Sequence, residues 1–322
     1  MESSHEKNAV DQYSSLPKDT WWGERELYQY KGQWFVLPYL QAAQEVANNF
    51  KPLPTDIILA SFPKTGTTWL KSLLYSIVHR SSKESLTMTH PQELIPSLES
   101  ELYGPQKPNS SHIPTAEIPK TGTRIFSTHI CYQVLADTIN SSECKVVYVT
   151  RNPKDTLISF WHFMKAVPIF EKEPWELEVA TEKFCRGVVP YGPFYEHVLD
   201  YWKVSSERPQ KVLFLTYEEL KKDTKAQVKK LAEFLGFSFE GDAEKVDEEV
   251  EEIVNNCSIE TLKNREVNKS SDLPNWGPLA YNSYFRKGKV GDHKNHLKPE
   301  MIERIDAITL EKFHGSGLMF GI

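Results

Sequence analysis

The sequence has neither a long apolar segment nor a strong excess of charge of one sign. Its 322 residues carry a net charge of −6, so nothing in the bulk charge favours nucleic acid or an anionic membrane as a partner. The apolar runs, such as residues 56–62, are far shorter than the ~20 residues that a membrane helix needs. The polar N-terminus lacks the apolar core of a secretory signal. We therefore expect a cytoplasmic protein without nucleic-acid or membrane partners.

Cysteine is scarce and is not arranged for metal binding. The four cysteines, Cys131, Cys144, Cys185 and Cys257, match no zinc or redox spacing. We expect no metal, and in the cytoplasm these side chains should remain reduced thiols.

No linker rich in proline, glycine or serine divides the chain, and 39% hydrophobic residues are enough for one large core. We expect residues 1–15 to be a flexible tail and residues 16–322 to be one domain. The stretch 81–123 is rich in serine, proline and glycine, which predicts surface loops. The acidic stretch 240–252 predicts a solvated helix or loop.

Short apolar segments alternate with helical patterns along much of the chain. The predicted strands are 56–62, 124–127, 145–150 and 211–216, and the predicted helices are 67–78, 155–165 and 217–235. This alternation predicts an α/β fold: a single domain with a central, mostly parallel sheet flanked by helices. Ligands of such sheets bind beyond the carboxyl ends of the strands. Lys64, His129, Arg151 and Tyr217 all follow strand ends and are therefore expected to form one site.

The loop after the first predicted strand, Pro-Lys-Thr-Gly-Thr-Thr-Trp at residues 63–69, has the composition of an anion site. A helix N-terminus offers unpaired N–H groups and the positive end of the helix dipole. Glycine lets the backbone approach a ligand closely. The candidate ligands of a phosphate or phosphosulfate, through charge, hydroxyl or backbone N–H, are Lys64, Thr65, Gly66, Thr67 and Thr68.

This loop is P-loop-like but is not a Walker A motif. Its lysine precedes the glycine instead of following it, and the strand 145–150 leads into Arg151 instead of a magnesium-binding aspartate. A P-loop kinase acting on a small molecule is therefore the weaker alternative.

Three motifs together resemble those of the cytosolic sulfotransferases, with the overall look of plant members. Residues 62–69 resemble the 5′-phosphosulfate loop, residues 151–159 the 3′-phosphate strand and helix, and residues 285–292 the C-terminal phosphate loop. The resemblance covers the chain from about residue 21 to its end. It implies transfer of a sulfuryl group from 3′-phosphoadenosine 5′-phosphosulfate (PAPS) to a hydroxyl of a small organic acceptor, as in plant secondary metabolism. The product nucleotide would be 3′-phosphoadenosine 5′-phosphate (PAP).

The resemblance also implies which residues bind the nucleotide. Beyond the first loop these are Trp69, Arg151, Ser159, Tyr217, Cys257, Ile259, Arg286, Lys287 and Gly288. The arginines can form forked hydrogen bonds to a phosphate, and Trp69 would stack on adenine. Ile259 stands where the family places a second aromatic ring, so we expect somewhat weaker nucleotide binding.

His129 matches the catalytic base of the family. It would take the acceptor proton during in-line attack on sulfur, while Lys64 stabilises the charge that develops on the transferred group. Trp161, Phe163 and Tyr191 match positions of the acceptor pocket. Aromatic walls suit a phenolic, flavonoid or steroid acceptor, although the identity of the acceptor stays open.

The sequence departs from the family at several positions. Ser127 replaces a lysine two residues before the base, Cys131 replaces a proline, and His293 replaces a tryptophan. The dimer motif of animal members is incomplete because Lys298-Pro299 replace Thr-Val. A monomer or weak homodimer is therefore expected, and a catalytically inactive nucleotide-binding homologue is the second alternative.

Overall fold

The computed structural model describes residues 13–22, 25–80, 85–104, 122–167, 175–274, 277, 279–318 and 320. Most of the predicted tail at residues 1–15, and much of the predicted loop stretch 81–123, therefore lie outside the described residues.

A small antiparallel sheet, which the sequence patterns do not predict, precedes the central sheet. Its strands are β1 (Lys18–Thr20), β2 (Glu26–Tyr30) and β3 (Gln33–Phe35). The β2–β3 hairpin turns through Lys31 and Gly32, which have φ of 46° and 81°. Two positive φ values are typical of the tight turns that match strand twist, but Lys-Gly is a weaker signal for such a turn than Asn-Gly. Helix α1 (Leu37–Asn49) follows.

In the described residues, the central sheet consists of four parallel strands. They are β4 (Ile57–Ser61), β5 (Ile125–Thr128), β6 (Lys145–Thr150) and β7 (Val212–Thr216), in the order β5-β4-β6-β7. Every residue of β4 and β5 is buried, as expected when helices cover both faces of a parallel sheet. This confirms the predicted α/β fold, and the predicted strand 145–150 coincides with β6.

Helices surround this sheet. They are α2 (Thr67–Val78), α3 (Ser85–Met88), α4 (Pro91–Leu94), α5 (Tyr132–Asn140), α6 (Pro153–Lys165), α7 (Leu177–Cys185), α8 (Phe194–Glu207), α9 (Tyr217–Lys222), α10 (Thr224–Leu235), α11 (Ala243–Asn256), α12 (Ile259–Asn264), α13 (Glu266–Lys269) and α14 (Pro299–Phe313). A π-helix spans Leu98–Leu102, and 3₁₀ helices span Tyr281–Tyr284 and Asp292–Asn295.

Two predicted segments differ from the structure in instructive ways. The predicted helix 217–235 is two helices, because Asp223 leaves helical geometry and its carboxylate accepts a hydrogen bond from the Ala226 N–H at 3.0 Å. This is the N-cap interaction that starts a new helix. The stretch 81–123 contains short helices as well as loops, and one of them contributes to the site described below.

Two of the three clusters that form the core lie on opposite faces of the central sheet. Ile57 and Leu59 of β4 point to the layer that contains α2, α10 and α11, whereas Ile58 and Ala60 point to the layer that contains α1, α5 and α8. This alternation is the normal consequence of strand geometry. Because both faces of the sheet are covered, a site can form at the carboxyl ends of the strands, where the loops follow. In the parts of the chain that the structure describes, no helix has the length and apolarity needed to cross a membrane.

Candidate functional site

A cavity of about 1000 Å³ opens at the carboxyl ends of the strands. Most of the predicted site residues line it, although they come from distant parts of the chain. Those that line it are Lys64, Gly66, Thr67, Thr68, Trp69, His129, Arg151, Ser159, Phe163, Tyr191, Tyr217, Ile259, Arg286, Lys287 and Gly288.

Three predicted site residues do not line the cavity. The Thr65 hydroxyl is buried and donates to the carbonyl oxygens of Phe62 (2.8 Å) and Val149 (2.9 Å), so the side chain holds the loop, and only its backbone N–H stays available to a ligand. Cys257 is buried behind the wall, where its carbonyl accepts a hydrogen bond from Trp69 Nε1 at 2.9 Å. Trp161 points elsewhere, and its Nε1 donates to the Trp175 carbonyl at 2.7 Å.

The loop between β4 and α2 is held in an unusual backbone conformation. Lys64 has φ of 71° and Gly66 has φ of 120°, which a glycine adopts without strain. A Cβ at Gly66 would lie 2.9 Å from the Tyr217 ring, so a side chain there would displace Tyr217. Helix α2 begins directly after Gly66, and its first N–H groups therefore point towards the cavity.

The Lys64 side chain extends into the cavity among cations and aromatic rings. Its Nζ atom lies 3.6 Å from the centre of the Phe163 ring. Burial, together with the charges of Arg286 and Arg151, lowers the pKa of Lys64 to about 7. An anion bound among these three cations would reverse this effect and favour the charged lysine.

His129 is held as a neutral ring with a defined tautomer. Its Nδ1 atom lies 2.8 Å from the Ser61 carbonyl oxygen, and because a carbonyl only accepts, Nδ1 must carry the proton. The lone pair of the neutral ring is therefore on Nε2. Burial is the main cause that lowers the pKa of His129 to about 4, and the charges of Lys71 and Lys64 act in the same direction. The hydrogen bond to the Ser61 carbonyl acts in the opposite direction. At neutral pH, His129 can thus accept a proton.

The backbone of His129 is fixed by residues that the sequence patterns did not single out. The buried Glu99 carboxylate accepts hydrogen bonds from the His129 N–H at 2.7 Å and the Thr128 hydroxyl at 2.9 Å. The Gln33 amide donates to the His129 carbonyl at 2.9 Å. Gln33 lies in the N-terminal sheet and Glu99 in the π-helix, both far from residue 129 in sequence. No local motif could have indicated these contacts.

One part of the cavity wall, the cationic arm, is formed by arginine side chains. Arg151 donates from one terminal nitrogen to Asp155 Oδ2 (3.1 Å) and to the Lys289 carbonyl (2.6 Å), while its buried Nε has no hydrogen-bond partner among the described residues. Arg286 lines the same cavity. A buried guanidinium with an unsatisfied donor is costly without a ligand, which favours an anion as the occupant of this arm.

Asp155 connects this cationic arm to the C-terminal phosphate loop. Its carboxylate accepts hydrogen bonds from the N–H of Gly291 (2.7 Å), the N–H of His293 (2.9 Å) and His293 Nδ1 (2.8 Å). Burial opposes ionisation of this carboxyl, but the His293 hydrogen bonds and the Arg151 charge outweigh it and hold its pKa well below the usual range. No motif in the sequence indicates this role. The departure His293 therefore has a structural partner in Asp155.

The region between the first loop and helix α12 is flat-walled and apolar. The Trp69 ring packs edge-on against Tyr217, with ring centres 5.4 Å apart. On the other side, Ile259 lies against Gly288, where an added Cβ would meet Ile259 Cγ2 at 2.7 Å. Both Trp69 and Ile259 line the cavity.

The opposite arm of the cavity, beyond His129, is largely aromatic. The ring centre of Tyr191 lies 5.4 Å from that of His129. Further aromatic and apolar side chains continue the wall: Phe35, Tyr39, Phe163, Val167, Leu279 and Tyr284. Within the described residues, no three His, Cys, Asp or Glu side chains are grouped so that they could hold a metal ion. The cavity therefore offers a cationic arm, an aromatic arm and a neutral histidine between them.

Comparison with known proteins agrees with this arrangement. The family model described as "Sulfotransferase domain" matches residues 54–317. The chain is 43% identical over 327 residues to cytosolic sulfotransferase 7 of Arabidopsis thaliana, covering 99% of this chain and 97% of the relative.

Solved structures give the same result. One is an Arabidopsis thaliana protein with a provisional steroid sulphotransferase assignment: it is 35% identical, has a TM-score of 0.74, and the match covers 100% of this chain and 98% of that one. Another is the mouse sulfotransferase SULT7A1 complexed with PAP: it is 27% identical, has a TM-score of 0.68, and the match covers 90% of this chain and 95% of that one.

Proposed function

The chain belongs to the sulfotransferase family, and we propose that it sulfates a hydroxyl of a flat, largely apolar acceptor with His129 as the general base. As a member of this family it is an enzyme that transfers a sulfuryl group from PAPS to a small organic acceptor. The further proposal concerns which residues carry the reaction and what kind of acceptor is used. The observation that carries it is the hydrogen bond between His129 Nδ1 and the Ser61 carbonyl, which leaves Nε2 as a base between the two arms of the cavity.

We assign the nucleotide to the cationic arm. PAPS carries a 3′-phosphate that is close to doubly charged at neutral pH, and the unsatisfied Nε of Arg151 beside Arg286 suits such a group. The adenine ring would lie between Trp69 and Ile259. The phosphosulfate would then lie at the N-terminus of α2, against Lys64 and the backbone N–H groups of residues 65–68.

The reaction follows from this placement. The acceptor hydroxyl approaches sulfur from the aromatic arm, and His129 Nε2 takes its proton as the new O–S bond forms. The bond between sulfur and the bridging oxygen of the phosphosulfate breaks, and PAP leaves with the electron pair. Lys64 and the N–H groups of the loop stabilise the negative charge that grows on the bridging oxygen. Sulfuryl transfer is positioned in line, by analogy with phosphoryl transfer.

We propose a phenolic, flavonoid or steroid acceptor. The wall beside His129 contains Phe35, Tyr39 and Tyr191, which offer flat apolar contact area. A phenol, with a pKa of about 10, is also easier for a histidine to deprotonate than an aliphatic alcohol. The structure from Arabidopsis thaliana with the provisional steroid assignment supports the same class.

We also propose where the enzyme acts and in which oligomeric state. Relatives are named cytosolic sulfotransferases, which supports action in the cytoplasm. We propose that residues 16–322 act as one domain, as a monomer or weak homodimer. A P-loop kinase and an inactive homologue are not favoured, since the family match and the neutral His129 both support sulfuryl transfer.

The acceptor class is tested by incubating the purified protein with labelled PAPS and a panel of hydroxyl compounds. The panel contains simple phenols, flavonols, hydroxysteroids, hydroxyjasmonate and desulfo-glucosinolates, with and without a metal chelator. We expect chelator-resistant labelling of a phenol, flavonol or steroid. Labelling of the carboxylate- or sugar-bearing acceptors alone would contradict the proposed class.

A pair of variants tests whether the aromatic arm binds the acceptor that the panel identifies. Tyr191→Ala should raise KM for the preferred acceptor by about tenfold and leave KM for PAPS unchanged. Tyr132→Ala is the matched control, because Tyr132 lies outside the cavity and bonds to Asn140. Equal effects of the two variants would remove Tyr191 from the acceptor site.

A further inference from the structure

A buried lysine lies in the first turns of α2, at the edge of the cavity. Lys71 is 1% exposed and borders the cavity near Thr68. Its ammonium donates to two neutral acceptors, the Ile95 carbonyl at 2.7 Å and Gln92 Oε1. Burial lowers the pKa of Lys71 to about 8, while the charges of Glu101 and Glu99 favour its protonated form. A buried lysine is rare in proteins, so its position calls for a role.

The lysine determines which way the Gln92 amide faces. An ammonium group only donates hydrogen bonds, so the amide oxygen of Gln92 must be the atom that faces Lys71. The amide nitrogen therefore points the other way, where it donates to Thr68 Oγ1 at 2.9 Å. Removing the charge would remove the preference between the two amide orientations.

The amide in turn determines where the Thr68 proton points. Because Thr68 Oγ1 accepts from Gln92, the hydroxyl proton of Thr68 must be directed elsewhere. Thr68 is partly exposed and lines the cavity at the start of α2. An anionic oxygen placed at this helix N-terminus would be the natural acceptor.

The two neighbouring threonines of the loop are engaged differently. The Thr65 proton is committed to the carbonyls of Phe62 and Val149. Thr67 Oγ1 lies 2.7 Å from the hydroxyl oxygen of Ser61, the residue whose carbonyl oxygen contacts His129 Nδ1. The Thr65 proton is thus committed to the protein, whereas the Thr68 proton is directed away from Gln92 and is set up to be donated into the cavity.

We propose that Lys71 is a positioning residue that acts through Gln92 to hold the Thr68 hydroxyl as a hydrogen-bond donor to the phosphosulfate. This inference rests on the proposed function, because it assigns the phosphosulfate to the N-terminus of α2. It extends that function to two residues, Lys71 and Gln92, that contact the nucleotide only through Thr68.

The experiment measures sulfuryl transfer from PAPS and PAP affinity in single and double variants. Thr68→Val removes the donor, Lys71→Met removes the charge, and Gln92→Glu replaces the amide with a carboxylate of the same size. A carboxylate only accepts, so it would take the Thr68 proton away from the cavity. Each change should lower kcat/KM for PAPS by about 10- to 100-fold, the range for a hydrogen bond to a charged group.

The double variants carry the decisive readout. If Lys71 acts through Thr68, then Lys71→Met and Gln92→Glu should cause no further loss when Thr68→Val is already present. Lys211→Met is the matched control for loss of a buried lysine: Lys211 lies at the opposite end of the sheet and bonds to the Ser142 carbonyl. It should lower the unfolding midpoint without changing kcat/KM.

Two outcomes would overturn the inference. One is a full, multiplicative loss from Lys71→Met in the Thr68→Val background, which would mean that Lys71 acts on the acceptor or on His129 directly. The other is wild-type kcat/KM in folded Gln92→Glu. Both leave the proposed function standing, because they are measured against an active wild type, whereas a wild type inactive on every acceptor would contradict the proposed function itself.

Discussion

The Nδ1 atom of His129 lies 2.8 Å from the carbonyl oxygen of Ser61, and this contact joins the proposed base to the phosphosulfate loop. Ser61 ends strand β4, and its hydroxyl lies 2.7 Å from Thr67 Oγ1 at the start of α2. The base and the anion site are therefore built from one strand end. Their separation is fixed by two short contacts of Ser61, one through its carbonyl oxygen and one through its hydroxyl.

The affinity for PAP should depend on pH through Lys64. Its pKa is about 7 in the free protein, so the lysine loses its charge as pH rises above that value, and an anion binds less well. We expect PAP affinity to fall by about tenfold between pH 7 and 9, a range in which the phosphates are already ionised. Isothermal titration calorimetry in that range measures the effect.

Lys64→Arg is the control for this pH dependence. A guanidinium stays charged up to pH 12 or so, so the variant should show a nearly flat affinity between pH 7 and 9. An equally steep decline in the variant would mean that Lys64 is not the titrating group.

Arg286→Ala should weaken binding of PAP by about 10- to 100-fold and affect 5′-AMP, which lacks the 3′-phosphate, far less. The reason is that Arg286 lies in the same cavity wall as Arg151, where we place the 3′-phosphate. Arg304→Ala serves as the control, because Arg304 pairs with Glu182 on the surface. Equal losses for the two nucleotides would contradict the assignment of Arg286 to the 3′-phosphate.

Ile259→Phe should tighten PAP binding several-fold. An aromatic ring at this position would face Trp69 across the proposed adenine site, and aromatic contacts add about 1 kcal/mol beyond burial. Competition against a fluorescent nucleotide measures the change, with the exposed Leu310→Phe as a control for added ring area. Unchanged affinity would indicate that Ile259 does not face adenine.

Asp155→Asn should destabilise the fold and detach the C-terminal phosphate loop from α6. The folded-state pKa of Asp155 is lowered, so its stabilising contribution is present above the unfolded pKa of about 4 and is lost as pH falls through the folded value. Urea unfolding should show wild type more stable than the variant by about 3 kcal/mol between pH 5 and 8. The difference in the free energy of unfolding between wild type and variant should become smaller below pH 4. If that difference stayed constant down to pH 2, Asp155 would be ruled out as the titrating group.

The sequence is most informative where function and local structure depend on the same short segment. The helix at 67–78 and the strand at 145–150 coincide with the predicted ranges, because strong hydrophobic periodicity and a glycine-containing turn lie within one window. The residues of the phosphate loops are contiguous motifs, so their convergence at the strand ends follows from the topology of a parallel sheet.

Contacts between distant segments were not predictable in this way. Gln33, Glu99 and Asp155 act on backbone groups that lie 96, 30 and 138 residues away, and no periodicity encodes such pairs. The break at Asp223 was missed because a capping aspartate has no distinctive neighbours in a long helical pattern. Thr65 and Cys257 were assigned to the ligand by position in a motif, whereas their side chains are buried and do not line the cavity.

The most direct test of the account is turnover of His129→Ala with labelled PAPS and the best acceptor from the panel, measured beside PAP binding. We expect kcat to fall by about 10²- to 10⁴-fold while the Kd for PAP stays within a factor of two or so. Near-normal turnover in a folded His129→Ala protein would contradict it and would require another base.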